Sequence, residues 1–186
     1  MRMRWVAVAG SAVIVVALYI FYTYPRPVAI SLHGVQIKLG NSVQAVTPVT
    51  LTLQGTVDRY LFRPETFFGT VDIKGATFPD RANGQPETIQ FNTHFGGFIF
   101  YGPESDPFHM YGAIYPNRSF TEFVVQEWHH SEWSSANGFL IVAPAETRSE
   151  AIRLANRLMK GFLLPGHLLG SATLRRFIRG SSEKLL

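Results

Sequence analysis

The chain has no cysteine among its 186 residues. That excludes disulfides, thiol nucleophiles, thiolate metal sites and a lipid attached through sulfur. Charge is scarce as well: Asp, Glu, Lys and Arg make up 16% of the residues, against roughly a quarter in a typical soluble domain. Gly-x-Ser-x-Gly, Gly-x-Gly-x-x-Gly and phosphate-loop patterns are missing, so an α/β-hydrolase elbow and a glycine-rich nucleotide cradle have no support. No repeat of fixed period and no low-complexity segment is present.

The charge that is present is unevenly placed. Residues 1–26 hold three arginines and no acid, residues 27–147 hold six basic and eleven acidic side chains, and residues 148–186 hold eight basic and two acidic. The net charge of +4 is therefore a property of the two ends, and the middle is mildly acidic. A nucleic-acid binder carries its basic surface on the folded body, so no nucleic acid is expected as a partner.

What the N-terminus does have is an uncharged run of twenty residues over 5–24, WVAVAGSAVIVVALYIFYTY. As a helix it spans roughly 30 Å, the thickness of a bilayer's hydrocarbon core. Arg2 and Arg4 precede it, the aromatic cluster Tyr19, Phe21, Tyr22 and Tyr24 lies at its far end, and Pro25 stops it. A cleaved signal peptide needs small residues just beyond its apolar core, whereas Phe21, Tyr22, Thr23 and Tyr24 stand there. The run reads as an uncleaved signal anchor, with the two leading arginines holding the N-terminus in the cytoplasm.

Beyond Pro27 the apolar period becomes two. Val28, Ile30 and Leu32 alternate, His33-Gly34 follows, and Val35, Ile37 and Leu39 alternate again, a pattern that predicts a hairpin turning at His33-Gly34. Further strands are expected over 49–57, 59–63, 67–73, 88–95, 98–101, 108–115, 120–126 and 138–142, separated by turn dipeptides such as Arg63-Pro64, Asn83-Gly84 and Pro116-Asn117. Eight to ten short strands at this spacing predict an antiparallel sandwich or barrel-like sheet. Thr147-Arg148-Ser149-Glu150 is a capping box, and Ala151, Leu154, Ala155, Leu158 and Phe162 form an apolar stripe, which predicts a helix over 146–162. The predicted class is α+β with β dominant. Its parts are a cytoplasmic tail at 1–4, a transmembrane helix at 5–24, an extracytoplasmic β-rich domain at 25–164 and a basic amphipathic segment at 165–186, expected as a second short helix.

The densest polar cluster is Glu127, Trp128, His129, His130, Ser131, Glu132 and Trp133. Imidazole and carboxylate are zinc ligands, which makes His129, His130, Glu127 and Glu132 candidates. Adjacent strand residues point to opposite faces, however, and the helical spacing of a zinc-protease motif is missing. Trp128 and Trp133 offer flat faces for a ligand, or cover for the base of a solvated hairpin tip. His33, His94, His109 and His167 are scattered and read as ordinary surface or half-buried residues. In the last segment Leu168, Leu169, Ala172, Leu174, Phe177 and Ile178 alternate with Arg175, Arg176 and Arg179. Such a helix lies on an anionic membrane, in a partner's groove or on its own domain, which makes Arg175, Arg176, Phe177 and Arg179 candidate contacts.

Taken together, the sequence predicts a single-pass membrane protein of the cell envelope with an extracytoplasmic domain. The expected role is non-enzymatic binding or accessory work on a protein partner, a wall polymer or the membrane surface, with no cofactor and no assigned oligomeric state. Two alternatives stand beside it. One is an envelope hydrolase or metal-dependent enzyme using the loop from Glu127 to Trp133. The other is a subunit of a larger membrane assembly, packing its anchor through Ala9, Gly10, Ser11 and Ala12.

Overall fold

The structure, a computed structural model, describes residues 2–40, 46–76, 87–92, 96–101, 109–128, 132–164 and 167–170. The elements run α1 (Arg2–Thr23), β1 (Arg26–Lys38), β2 (Val46–Asp58), β3 (Glu65–Lys74), β4 (Glu87–Phe91), β5 (Gly97–Tyr101), β6 (His109–Pro116), β7 (Phe123–Glu127), β8 (Phe139–Ala143) and α2 (Arg148–Leu158). The eight strands form one antiparallel sheet in the order β4-β3-β2-β1-β8-β7-β6-β5. Consecutive strands therefore pair, except β4 with β5, and the first strand pairs with the last. The two outer strands, β4 and β5, meet at Asn92 and Gly96, which exchange backbone hydrogen bonds of 2.9 and 3.0 Å. This is an up-and-down barrel, nearly closed, with its seam between β4 and β5.

Alternation along the strands builds two cores, one on each face of the sheet. The barrel interior is filled by Leu51, Leu53, Phe67, Val71, Ile89, Ile99, Ile114, Phe123, Val125 and Ile141, with Val28, Ile30 and Leu32 packed against them. Each large apolar side chain so buried stabilises the fold by roughly 1.5–3 kcal/mol. On the outer face Val35, Ile37, Ala113, Tyr115, Val124, Leu140 and Val142 meet Ala151, Leu154, Ala155 and Met159 of α2 and its C-cap. Strands β7 and β8 are covered on both sides, which explains their unbroken apolar runs.

The structure corrects the hairpin expected at His33-Gly34. β1 passes straight through, with His33 opposite Thr50 and Gly34 opposite Val49. The apolar phase shifts because the buried face changes, and the chain does not turn. Up to Leu32 the strand buries the side that looks into the barrel; from Val35 onward β8 lies alongside, and the buried side is the one beneath α2. Gly34 sits at this changeover, where a Cβ would lie 2.3 Å from the Val142 carbonyl oxygen and 2.7 Å from Ala143 Cβ.

Other expectations shift for local reasons. Residues 59–63 form a loop, since Tyr60, Leu61 and Phe62 are consecutive apolar residues without alternation. The strand expected from residue 120 begins at Phe123, because Phe120 lies in a turn with φ +58°. The helix expected over 146–162 spans Arg148–Leu158 and is capped at Met159. Its capping box is formed as the sequence implies: Thr147 Oγ1 accepts from the Glu150 amide at 3.3 Å, and Glu150 Oε2 accepts from the Thr147 and Glu146 amides at 3.3 and 3.1 Å. Those backbone donors hold the Glu150 carboxyl below its ordinary range. Residues 167–170 are non-helical, and residues 171–186, where the second helix is expected, lie outside the described residues.

Among the described residues α1 makes no substantial packing contact with the barrel. Its side chains are described from Ala12 onward, a stretch covering about 18 Å, and among the described residues no helix is long and apolar enough to cross a membrane.

Gly34→Ala should lower the barrel's stability by about 1–3 kcal/mol, because its Cβ would meet backbone on β8 that cannot step aside. Urea denaturation followed by circular dichroism reads this; an unchanged midpoint would mean that β1 and β8 do not approach as described.

Candidate functional site

The cluster the sequence singles out is divided by the last turn of β7. Glu127 and Gln126 are both buried, at 4% and 0% exposure, and successive strand positions send them to opposite faces. Glu127 turns into the barrel. Its Oε1 accepts from the Tyr111 hydroxyl at 2.7 Å and its Oε2 from Gln36 Nε2 at 2.5 Å. Tyr111 can reach it because of a bulge: Ile99 pairs with Gly112 and Phe100 with Met110, so Tyr111 is the extra residue in β6. Gly112 stands opposite Glu127 with no side chain to compete for the space. A Cβ there would lie 1.7 Å from the Gln126 carbonyl oxygen.

Gln126 faces outward beneath the aromatic cover. Its Oε1 accepts from the Tyr115 hydroxyl and from Trp128 Nε1, both at 3.3 Å. The indole N–H only donates, which fixes the orientation of the amide. Gln126 Nε2 is buried and has no hydrogen-bond partner among the described residues. Burial, the Glu127 charge and the hydrogen bond to it hold the Tyr111 phenol far above its ordinary value, and burial alone raises Tyr115. Both phenols are therefore fixed donors, without the lowered pKa of an activated acid or nucleophile.

The two tryptophans do separate jobs. Trp128 meets Phe98 edge-on at 6.0 Å. Trp133 donates from Nε1 to the Phe139 carbonyl at 3.0 Å and packs edge-on against Phe162 at 5.9 Å, as part of the outer core. Glu132 is exposed. His129 and His130 lie outside the described residues, as do Arg175, Arg176, Phe177 and Arg179. Among the described residues no three His, Asp or Glu side chains converge as a metal site would require. His33 is exposed, with Nδ1 3.3 Å from Thr50 Oγ1.

Of the sequence candidates, then, Glu127 enters the buried network in the barrel, Trp128 bonds Gln126 on the opposite side, and Trp133 belongs to the helix-covered face. Gln36 and Tyr111 complete the buried network and carry no signal in the sequence, since their meeting depends on strand register and on the bulge. Compared with known protein families, curated proteins and solved structures, the chain finds no match.

Tyr111→Phe should cost about 1–3 kcal/mol by leaving one buried carboxylate oxygen unpaired. Because folding raises both tyrosine pKa values, their contribution to stability is complete below pH ~10 and falls as pH rises past that unfolded value. Spectrophotometric titration should show two tyrosines that ionise only with unfolding, and one fewer in Tyr111→Phe; normal titration of every tyrosine in the folded protein would contradict the burial described.

Proposed function

We propose that the chain is a single-pass membrane protein, with α1 as the anchor, the N-terminus in the cytoplasm and the barrel as a non-enzymatic binding or accessory domain outside. The observation that carries this reading is the surface of α1. Val13, Ile14, Val15, Val16, Leu18, Tyr19, Ile20 and Phe21 are each between 52% and 74% exposed. Because they are nearly consecutive, they surround the helix rather than forming one stripe. A helix apolar all round is stable when lipid or protein covers every side, and the barrel covers none of these. The helix is 22 residues long, about 33 Å, and the uncharged stretch within it matches a bilayer's core.

The reading of the barrel as a binding or accessory domain is supported by its interior. Side chains fill it, and its buried carboxylate is satisfied by Gln36 and Tyr111, an arrangement that holds strands together. Charge on the two flanks of the span supports the orientation: Arg2 and Arg4 precede it and Arg26 alone follows closely, the bias that keeps an N-terminus in the cytoplasm. The basic segment over 165–186 is a proposed contact with an anionic membrane or a protein partner, through Arg175, Arg176, Phe177 and Arg179.

The expected result of an alkaline carbonate wash is that the full chain stays with the membrane pellet. Protease added to sealed spheroplasts should digest a C-terminal tag and spare an N-terminal one. Release into the carbonate supernatant would end the anchor reading; the opposite protection pattern would reverse the orientation. Deleting residues 165–186 should weaken binding of the chain's soluble portion to anionic vesicles, read by co-sedimentation.

A further inference from the structure

α1 ends at Thr23 and β1 begins at Arg26. Two residues span at most about 7 Å beyond the helix, so one end of the barrel is held against whatever surrounds the helix terminus. Residues 59–64 and the turn 117–122 lie at this same end. Arg26 pairs with Val57, the chain then enters the 59–64 loop, and Arg59 Nη2 donates to the Arg118 carbonyl at 2.8 Å, joining loop to turn.

That rim is unlike the rest of the barrel. Phe62 is 96% exposed, Leu61 53% and Tyr60 39%, three apolar side chains in a row at a loop tip. Around them stand Arg26, Arg59, Arg63 and Arg118. Arg59 is neutralised by Glu65, whose Oε1 lies 3.1 Å from its Nε. Arg26, Arg63 and Arg118 are exposed and have no ion pair among the described residues. Arg26, Arg59 and Arg118 line a cleft of about 470 Å³, floored by Val28, Val57 and Phe120.

The turn that presents Arg118 is held under strain. Phe120 has a left-handed backbone, φ +58°, a conformation unfavourable for residues other than glycine. Its ring is buried against Phe91 and Phe123. Asn117 ties the turn down: its Oδ1 accepts from the Thr121 and Glu122 amides at 2.8 and 3.2 Å, and its Nδ2 donates to Thr121 Oγ1 and Glu122 Oε2 at 2.9 and 3.1 Å. A rim braced in this way presents its arginines in a set geometry.

We propose that this rim is a second membrane contact, in which Leu61 and Phe62 enter the acyl boundary and the arginine cleft takes the phosphate of an anionic phospholipid. The chemistry suits an interface: apolar side chains at a loop tip bury into lipid while guanidinium groups pair with the two non-bridging oxygens that share the headgroup phosphate's charge. The inference rests on α1 being the anchor, because the anchor brings the rim to headgroup depth and orients it. With both contacts made, the barrel stands in one fixed attitude on the membrane.

The absence of cysteine makes single-site labelling clean. The full-length chain would carry a nitroxide at Phe62→Cys, at Lys74→Cys on the opposite end of β3, or at Val15→Cys in α1, in vesicles of phosphatidylcholine with about 30% phosphatidylglycerol. Labels at 15 and 62 should collide with lipid-soluble oxygen and be shielded from a water-soluble nickel chelate, with the label at 74 showing the reverse. A label at 62 as water-accessible as that at 74, with 15 buried, overturns the rim proposal and leaves the anchor standing; a water-accessible label at 15 sinks both. In pure phosphatidylcholine the lipid-inserted fraction at position 62 should fall, and Arg26→Gln, Arg63→Gln and Arg118→Gln should each lower its equilibrium constant about fivefold in the anionic vesicles. Insertion indifferent to lipid charge and to all three substitutions would overturn the headgroup assignment.

Discussion

The pairing of β1 with two partners at once is the constraint on which the molecule depends. Along nearly its whole length β1 is laddered to β2, and over Val35, Gln36, Ile37 and Lys38 it is also laddered to β8. That short second ladder joins the two ends of the domain, turns a flat meander into an enclosure, and makes internal strands of both β1 and β8, leaving only β4 and β5 at the sheet's margins. It also makes the outer surface that α2 covers, since Val35, Ile37, Leu140 and Val142 come from those two strands. Arg148 reinforces the junction from the helix side, donating to the Lys38 and Gly40 carbonyls at 2.7 and 3.1 Å.

The two ends of the barrel differ in kind. Away from α1, polarity is internal: Glu127, Gln36 and Tyr111 bond one another inside the wall, and on the outer side Gln126 Oε1 accepts from Tyr115 and Trp128. Burying a carboxylate costs several kcal/mol unless hydrogen bonds replace its water, and here two donors from two other strands do so. The network's return is register, because Gln36 and Tyr111 reach Glu127 only when β1, β6 and β7 are correctly aligned. Toward α1 the polarity is external, in arginines around an apolar loop.

Much of the fold was legible in the sequence, and the misreadings share a cause. Period-two alternation and turn dipeptides located the strands to within a few residues, and the capping box located the start of α2 because both of its hydrogen bonds are local. Alternation reports burial, however, and burial depends on what lies across each face. At Gly34 the covered face changes and the alternation slips by one, which looks the same as a turn. At Phe120 apolarity suggested strand, yet the ring is needed in the core while its backbone turns. The candidate site was half legible: Glu127 and Trp128 drew notice as a polar and aromatic cluster, but Gln36 is 91 residues from its partner, and the bulge that admits Tyr111 has no local signature. The rim was not legible, since Tyr60, Leu61 and Phe62 have the composition of a short strand but stand exposed in a loop.

Joining the first strand to the last has a consequence for biogenesis. Phe139, which pairs with Lys38, is made about a hundred residues later, so at usual elongation rates β1 waits roughly 5–20 s for its second neighbour. Throughout that interval the hairpin of β1 and β2 carries bare amides along one margin of β1. An edge of this kind invites pairing with another chain, so the unclosed meander is the stage most exposed to misassembly until β8 arrives.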